Sequence, residues 1–281
     1  YELETAAWLH DCGKVVTPEY VMDKATKLET IYDRIQSVET RFELLLRDAE
    51  IDYLRACLEN GDSSESVGKL KSEYEARCLQ YRADLEFLQN TNIGGEFMSD
   101  EDVARVEMLS SVIWTDMQGK QRPLLDADEI KNLSIKRGTL NDDEREVINN
   151  HIVATIKMLE SLPFPKNLQN VPEYAGGHHE KMDGTGYPRG LRKEEMSVQA
   201  RIMAVADIFE ALTASDRPYK QGKKLSECLK IMGFMKKDNH IDPDIFDIFI
   251  DQQVYLDYAE EFLDPEQIDD IDVSRIPGYI N

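Results

Sequence analysis

A chain of 281 residues with 41% hydrophobic content is long enough for one large domain or two modest ones around a real core. Its net charge of −22 excludes a broad basic face for long nucleic acid, and the lack of any apolar run of 18 residues excludes a membrane-spanning helix. The acids are concentrated: residues 29–140 hold 23 against 14 Lys and Arg, residues 238–281 hold 13 against one, and the near-neutral remainder can still receive a small anionic substrate.

The opening YELETAAWLHD is neither a signal peptide nor preceded by Met, so it reads as a cytoplasmic fragment of a longer protein. Four cysteines (Cys12, Cys57, Cys78, Cys228) fall in no metal or disulfide spacing and are expected to be reduced. From Glu2 to Val16 the pattern is helical, with Leu3, Ala6, Ala7, Leu9 and Cys12 apolar. Lys14 follows His10 by four residues and Asp11 by three, which puts two ligand types and a cation on one face. A core histidine satisfied by a neighbouring Asp is the plainer alternative. Pro18 ends this helix.

Ile31, Ile35, Val38, Phe42 and Leu45, then Leu70, Tyr74, Cys78, Tyr81, Leu85 and Leu88, recur at spacings of three and four. NGDSSESVG at 60–68 separates the two runs, which predicts an antiparallel helical hairpin, and a third amphipathic helix is predicted from about Ser99 to Trp114. The stretch holds no ligand cluster. KATKLETIYDRI at 24–35 echoes KRGTLNDDEREVI at 136–148, so residues 29–135 are read as an insertion into a smaller helical domain. Its apolar stripes predict a surface for a second copy or a protein partner, or else packing back on the catalytic core.

After Asn141, a helix cap, the pattern runs through His151 to Leu162 and stops at Pro163. GHHEKMDGTGYPRGL at 177–191 follows, with adjacent His178 and His179 opening an acidic, glycine-rich loop. In QARIMAVADIFEALTA nearly every face is apolar, so Asp207 lies in a buried helix, where an isolated carboxylate costs several kcal/mol unless a metal or cation meets it. Arg201 or Arg217 could supply a salt bridge instead. His240 precedes an acidic helix and reads as structural.

Four of the five histidines, His10, His151, His178 and His179, together with Asp11 and Asp207, make six nitrogen and oxygen ligands at helix positions that border loops. That is too many for one structural zinc and about right for two ions sharing a carboxylate. The absence of thiolate favours iron or manganese, with nickel or zinc as further candidates.

HDCGK at 10–14, HHEKMDGTGYP at 178–188 and the AD of VADIFEALTASDRPYK at 206–207 resemble the HD-GYP family of bacterial cyclic-dinucleotide phosphodiesterases, a branch of the metal-dependent HD phosphohydrolases. The resemblance implies an all-α, HD-type helical bundle around a metal centre, formed by residues 1–28 and 136–257, with 29–135 as a departure and 258–281 as an acidic tail. It also implies that Asp11 bridges two ions, His10 and Asp207 holding one and His151, His178 and His179 the other. Lys14 would sit beside the phosphate as the second catalytic group. Arg217 and Lys220 look like phosphate binders, and Gly186 and Tyr187 belong to the loop that would approach the substrate. Family members carry a further ligand on a helix upstream of the HD motif, which this sequence lacks, so completion of the first ion's site stays open. The implied activity is hydrolysis of cyclic di-GMP or 3′,3′-cyclic GMP-AMP. A silent sensor or scaffold, or a phosphohydrolase of mononucleotides, are the alternatives.

Overall fold

The computed structural model describes residues 1–60, 64–95, 97–214 and 222–279. In chain order the helices are α1 (Glu2–Leu9), α2 (Glu19–Met22), α3 (Ile35–Asn60), α4 (Ser64–Ile93) and α5 (Asp100–Ser110). Strands β1 (Ile113–Thr115) and β2 (Gln121–Pro123) come next, followed by α6 (Ala127–Leu133), α7 (Asp142–Glu160) and α8 (Val171–Gly176). The remainder is α9 (Val198–Thr213), α10 (Leu225–Lys237), α11 (Pro243–Asp251) and α12 (Val254–Phe262). Among the described residues that one antiparallel ribbon is all the sheet there is, so the fold is all-α. Two compact units result, Tyr1–Thr17 with Glu146–Asn281, and Pro18–Arg145.

In the unit Pro18–Arg145, α3 and α4 form an antiparallel hairpin. Val38, Phe42, Leu45 and Ala49 are buried at spacings of four, three and four, which keeps one stripe of α3 against α4. Tyr53 stacks on Tyr74 at 5.0 Å farther along the hairpin. Ile31 is 98% exposed and precedes the helix, which starts at Ile35. The base of the hairpin buries Leu88 with Val106 of α5, Leu124, Leu125 and Leu133 of α6. Helix α5 stops at Ser110 rather than at Trp114, because Ile113, Trp114 and Thr115 are β-branched or aromatic and enter the ribbon, where Trp114 pairs with Arg122. The turn closes through Asp116, whose carboxylate accepts from the amides of Gln118 and Lys120.

Residues 18–28, read from the sequence as catalytic, fold with this unit. Leu28 joins its core, and the Lys24 ammonium is buried against the Glu144 carboxylate, 2.8 Å from each oxygen. A carboxylate offsets the cost of burying a cation, so this pair ties the start of the unit to its end.

In the other unit, Ala6 of α1 packs with Leu159, Val171, Tyr174, Ala175 and Met203. A second cluster joins Val205 and Phe209 of α9 to α10, α11 and α12. The segment read as an acidic tail, 258–281, packs on this cluster over its described residues, 258–279. Ala259 and Ile276 are buried in that cluster, with Leu263, Ile268, Ile271 and Val273 packed against it, and the Gln267 amide donates to the carbonyl of Thr213 at 2.8 Å. The acids of this segment occupy the positions between its apolar anchors. Among the described residues no helix is long and apolar enough to cross a membrane.

Candidate metal centre

His10 sits at the end of α1, His151 within α7, and His178 just beyond α8. In each, Nδ1 lies at hydrogen-bond distance from the carbonyl three residues earlier: Ala7 at 2.6 Å, Ile148, and Ala175 at 2.7 Å. A carbonyl can only accept, so Nδ1 carries the proton, and in the neutral ring Nε2 is left as the metal-facing lone pair. His179 is held by Tyr187, whose ring stacks on the imidazole at 4.8 Å and 17°.

The Nε2 atoms converge on Asp11. Its Oδ1 lies 3.1 Å from His151 Nε2 and 3.9 Å from His178 Nε2, while Oδ2 is 3.3 Å from His10 Nε2. The Lys14 ammonium donates to the same Oδ2. Asp207 Oδ1 is 3.4 Å from His10 Nε2. The donor atoms of His151, His178 and His179 lie within 4.8 Å of one another, and so do those of His10, His178 and Asp207. His178 is thus in reach of both groups, whereas the sequence reading gave it to one. Arg201 pairs with buried Asp242, which removes it as the counter-ion of Asp207.

Asp11 Oδ1, His151 Nε2 and His178 Nε2 are buried with no hydrogen-bond partner. A carboxylate oxygen facing two imidazole lone pairs is repelled by both unless positive charge lies between them. These residues therefore fit a bound cation, and their nitrogen and oxygen character suits a divalent transition metal.

The electrostatics agree. Burial favours a protonated Asp11, but the nearby His10 and His151 rings and the Lys14 ammonium hold its carboxyl far below the ordinary carboxylate range. Burial likewise opposes ionisation of Asp207, and His10 holds it low. Burial would lower His10, yet the two carboxylates raise it to about 10. His178 is pushed down by burial, and His179 falls to about 3 through burial and the neighbouring His178. Two anions beside neutral imidazoles suit a cation, and one held there would compete with the His10 proton.

The loop after His179 is shaped by Glu180, a residue to which sequence reasoning gave no role. Its buried carboxylate accepts from the amides of Arg189 at 2.7 Å and Leu191 at 2.9 Å. Gly186 is required by the chain itself, since a Cβ there would stand 2.3 Å from the Lys181 nitrogen. Tyr187 is largely taken up by its stack on His179, and burial raises its hydroxyl to about 12. Arg217 and Lys220 lie outside the described residues. His240 belongs to neither donor group. A cavity of about 860 Å³ opens over the centre, lined by His10, Asp11, Lys14, His179 and Asp207.

A model of the HD domain matches residues 127–245. A probable cyclic di-GMP phosphodiesterase of Vibrio cholerae is 36% identical over 230 residues, covering 79% of this chain and 48% of that protein. A 3′3′-cGAMP-specific phosphodiesterase of the same organism is 38% identical over 122 residues, 43% of this chain and 27% of the relative. A cyclic di-GMP phosphodiesterase of Pseudomonas aeruginosa is 38% identical over 115 residues, 41% and 27% of the two chains. The chain spans about half the length of the first of these relatives and about a quarter of the other two. Residues 127–245 are thus an HD domain, and with the motifs at 10–14 and 178–188 gathered into one donor cluster the chain is consistent with the HD-GYP branch of that family.

Proposed function

We propose that this chain is the catalytic part of a metal-dependent phosphodiesterase that hydrolyses a cyclic dinucleotide, cyclic di-GMP or 3′,3′-cyclic GMP-AMP, to the linear dinucleotide and onward to mononucleotides. The observation that carries the reading is the set of three buried, unpartnered atoms, Asp11 Oδ1, His151 Nε2 and His178 Nε2, beside a cavity that Asp11 and Lys14 line. The named activities of the relatives support the substrate class.

Two ions, iron or manganese in preference to nickel or zinc, would acidify water and neutralise charge on the phosphodiester when bound. Asp11 would bridge them, one oxygen toward His151 and His178 and the other toward His10, while His179 and Asp207 complete the two sets. Lys14 would hold a phosphate oxygen as a point charge. Arg217 and Lys220 are assigned to phosphate binding by their place in the family motif. Tyr187 keeps His179 aligned, and Gly186 lets the loop close. In the reaction water adds to phosphorus, the ester bond to one ribose oxygen breaks, and that oxygen leaves with a proton. Four free cysteines accord with a reducing, cytoplasmic setting. We assign the insert a second role, as a surface for another copy or a protein partner, because Ile51, Leu54 and Leu58 lie exposed at spacings of three and four along α3. Metal content measured together with turnover of both cyclic dinucleotides tests the reading. Metal-loaded protein that cleaves neither overturns it.

A further inference from the structure

The cavity over the donor cluster has an aromatic element that metal binding does not use. Trp8 stands on α1 two residues before His10 and lines the same space as Lys14 and Asp207, yet its side chain is 84% exposed. An indole in water beside charged and metal-ligating groups gains nothing for folding. Its base is nevertheless fixed. The other side of α1 is locked in place by buried Ala6, with Leu3 and Leu9 packed alongside, so the ring rides on a rigid helix with two side-chain torsions to settle. Tyr258 of α12 brings a second aromatic ring to the cavity, whose volume of about 860 Å³ falls in the range of small-molecule sites.

We propose that Trp8 is a stacking platform for a purine base of the substrate and a determinant of how tightly this site takes nucleotides. The inference rests on the cyclic-dinucleotide reading above. The phosphodiester is held at the donor cluster and by Lys14, and a base extending from it along α1 meets the indole face. Every base has a π-face, so stacking adds affinity without distinguishing guanine from adenine. The contact lies away from the reacting phosphorus and is equal in ground and transition states, so it acts on KM rather than on kcat.

The test is steady-state kinetics of Trp8→Ala and Trp8→Phe in the full chain, with a direct binding arm. Trp8→Ala should raise KM for cyclic di-GMP and for 3′,3′-cyclic GMP-AMP by similar factors, roughly five- to a hundred-fold, with kcat held within about two-fold. Trp8→Phe should recover most of the loss. The exposure of Trp8 makes both variants safe for folding. In the binding arm, cyclic di-GMP should quench tryptophan emission saturably, and the quenching should vanish in Trp8→Phe, where Trp114 is the remaining tryptophan. An active wild-type enzyme whose KM ignores Trp8→Ala overturns the platform. Should wild type cleave neither substrate, the functional reading fails and the quenching decides on Trp8 by itself: saturable quenching lost in Trp8→Phe upholds it, and its absence overturns it.

Discussion

The amide of Gly13 donates to Thr155 Oγ1 at 2.9 Å, and this bond joins the turn that carries Asp11 to the helix that carries His151. A Cβ on Gly13 would stand 2.0 Å from the His151 carbonyl oxygen and 2.5 Å from the Thr155 nitrogen. Gly13→Ala should therefore push the turn off α7, part Asp11 from His151, and weaken metal binding by more than about ten-fold, with helical content retained by circular dichroism. Thr155→Val, which leaves the Gly13 amide buried and unpaired, should cost about 1–3 kcal/mol of stability, and Thr155→Ser should restore it. Wild-type metal affinity in Gly13→Ala would show that the close approach is not what sets the site.

Asp11 faces both donor groups, so its loss should empty both. Asp11→Ala is expected to carry no transition metal by elemental analysis and to have no phosphodiesterase activity, whereas His240→Ala should keep its metal. Two equivalents of metal in Asp11→Ala would refute the bridge.

Glu180 offers two acceptors to two amides, and Gln at that site replaces one of them with a donor. Glu180→Gln should destabilise the protein by about 1–3 kcal/mol and loosen the loop that stacks Tyr187 on His179. Faster proteolysis within residues 183–192 and weaker metal binding are the expected readouts. Unchanged protease resistance would count against the role given to Glu180.

The buried Lys27 ammonium donates to the Leu133 carbonyl at 2.9 Å and lies 3.3 Å from the Met98 sulfur, and burial lowers it to about 8 from 10.5. Between those two values the unfolded chain binds a proton that the folded chain does not, so this group makes stability rise with pH across that window. Below about 8 both states are charged and the folded state bears the full cost of burial. Lys27→Met should thus be more stable than wild type at pH 7, with the advantage shrinking as pH climbs toward 10. Paired thermal melts would show it, and a difference that stays constant with pH would rule the explanation out.

If the hairpin takes a partner through Ile51, Leu54 and Leu58, Leu54→Asp with Leu58→Asp should lower the mass seen by light scattering without loss of metal. An unaltered mass would withdraw the second-copy reading.

The residues that converge were legible because five of them, His10, Asp11, His178, His179 and Asp207, sit in short motifs, and His151 because histidines are scarce enough to be counted. Thr155 and Trp8 were not, since neither residue type points to a site until the turn at Gly13 and the cavity are in place. Charge misled at the end of the chain, where seven acids against one Arg drew attention away from the interspersed apolar residues, Ile268, Ile271 and Ile276 among them, that anchor residues 258–279. The β1–β2 ribbon escaped because three-residue strands carry too little alternation to register. Pro18 marked the unit boundary better than composition did, because the Lys24–Glu144 pair closes the inserted unit well outside the region where net charge shifts.

The tie between each Nδ1 and the carbonyl of its own helical turn makes the centre modular. His10, His151 and His178 are aimed by backbone that lies within three residues of each, so no distant chain is needed to orient them, and Gly13 with Thr155 sets the spacing of the first two. Any segment could be spliced between Thr17 and Glu146 without re-aiming a ligand, which is how a unit as large as Pro18–Arg145 can interrupt the sequence between Asp11 and His151 and leave the donor cluster whole.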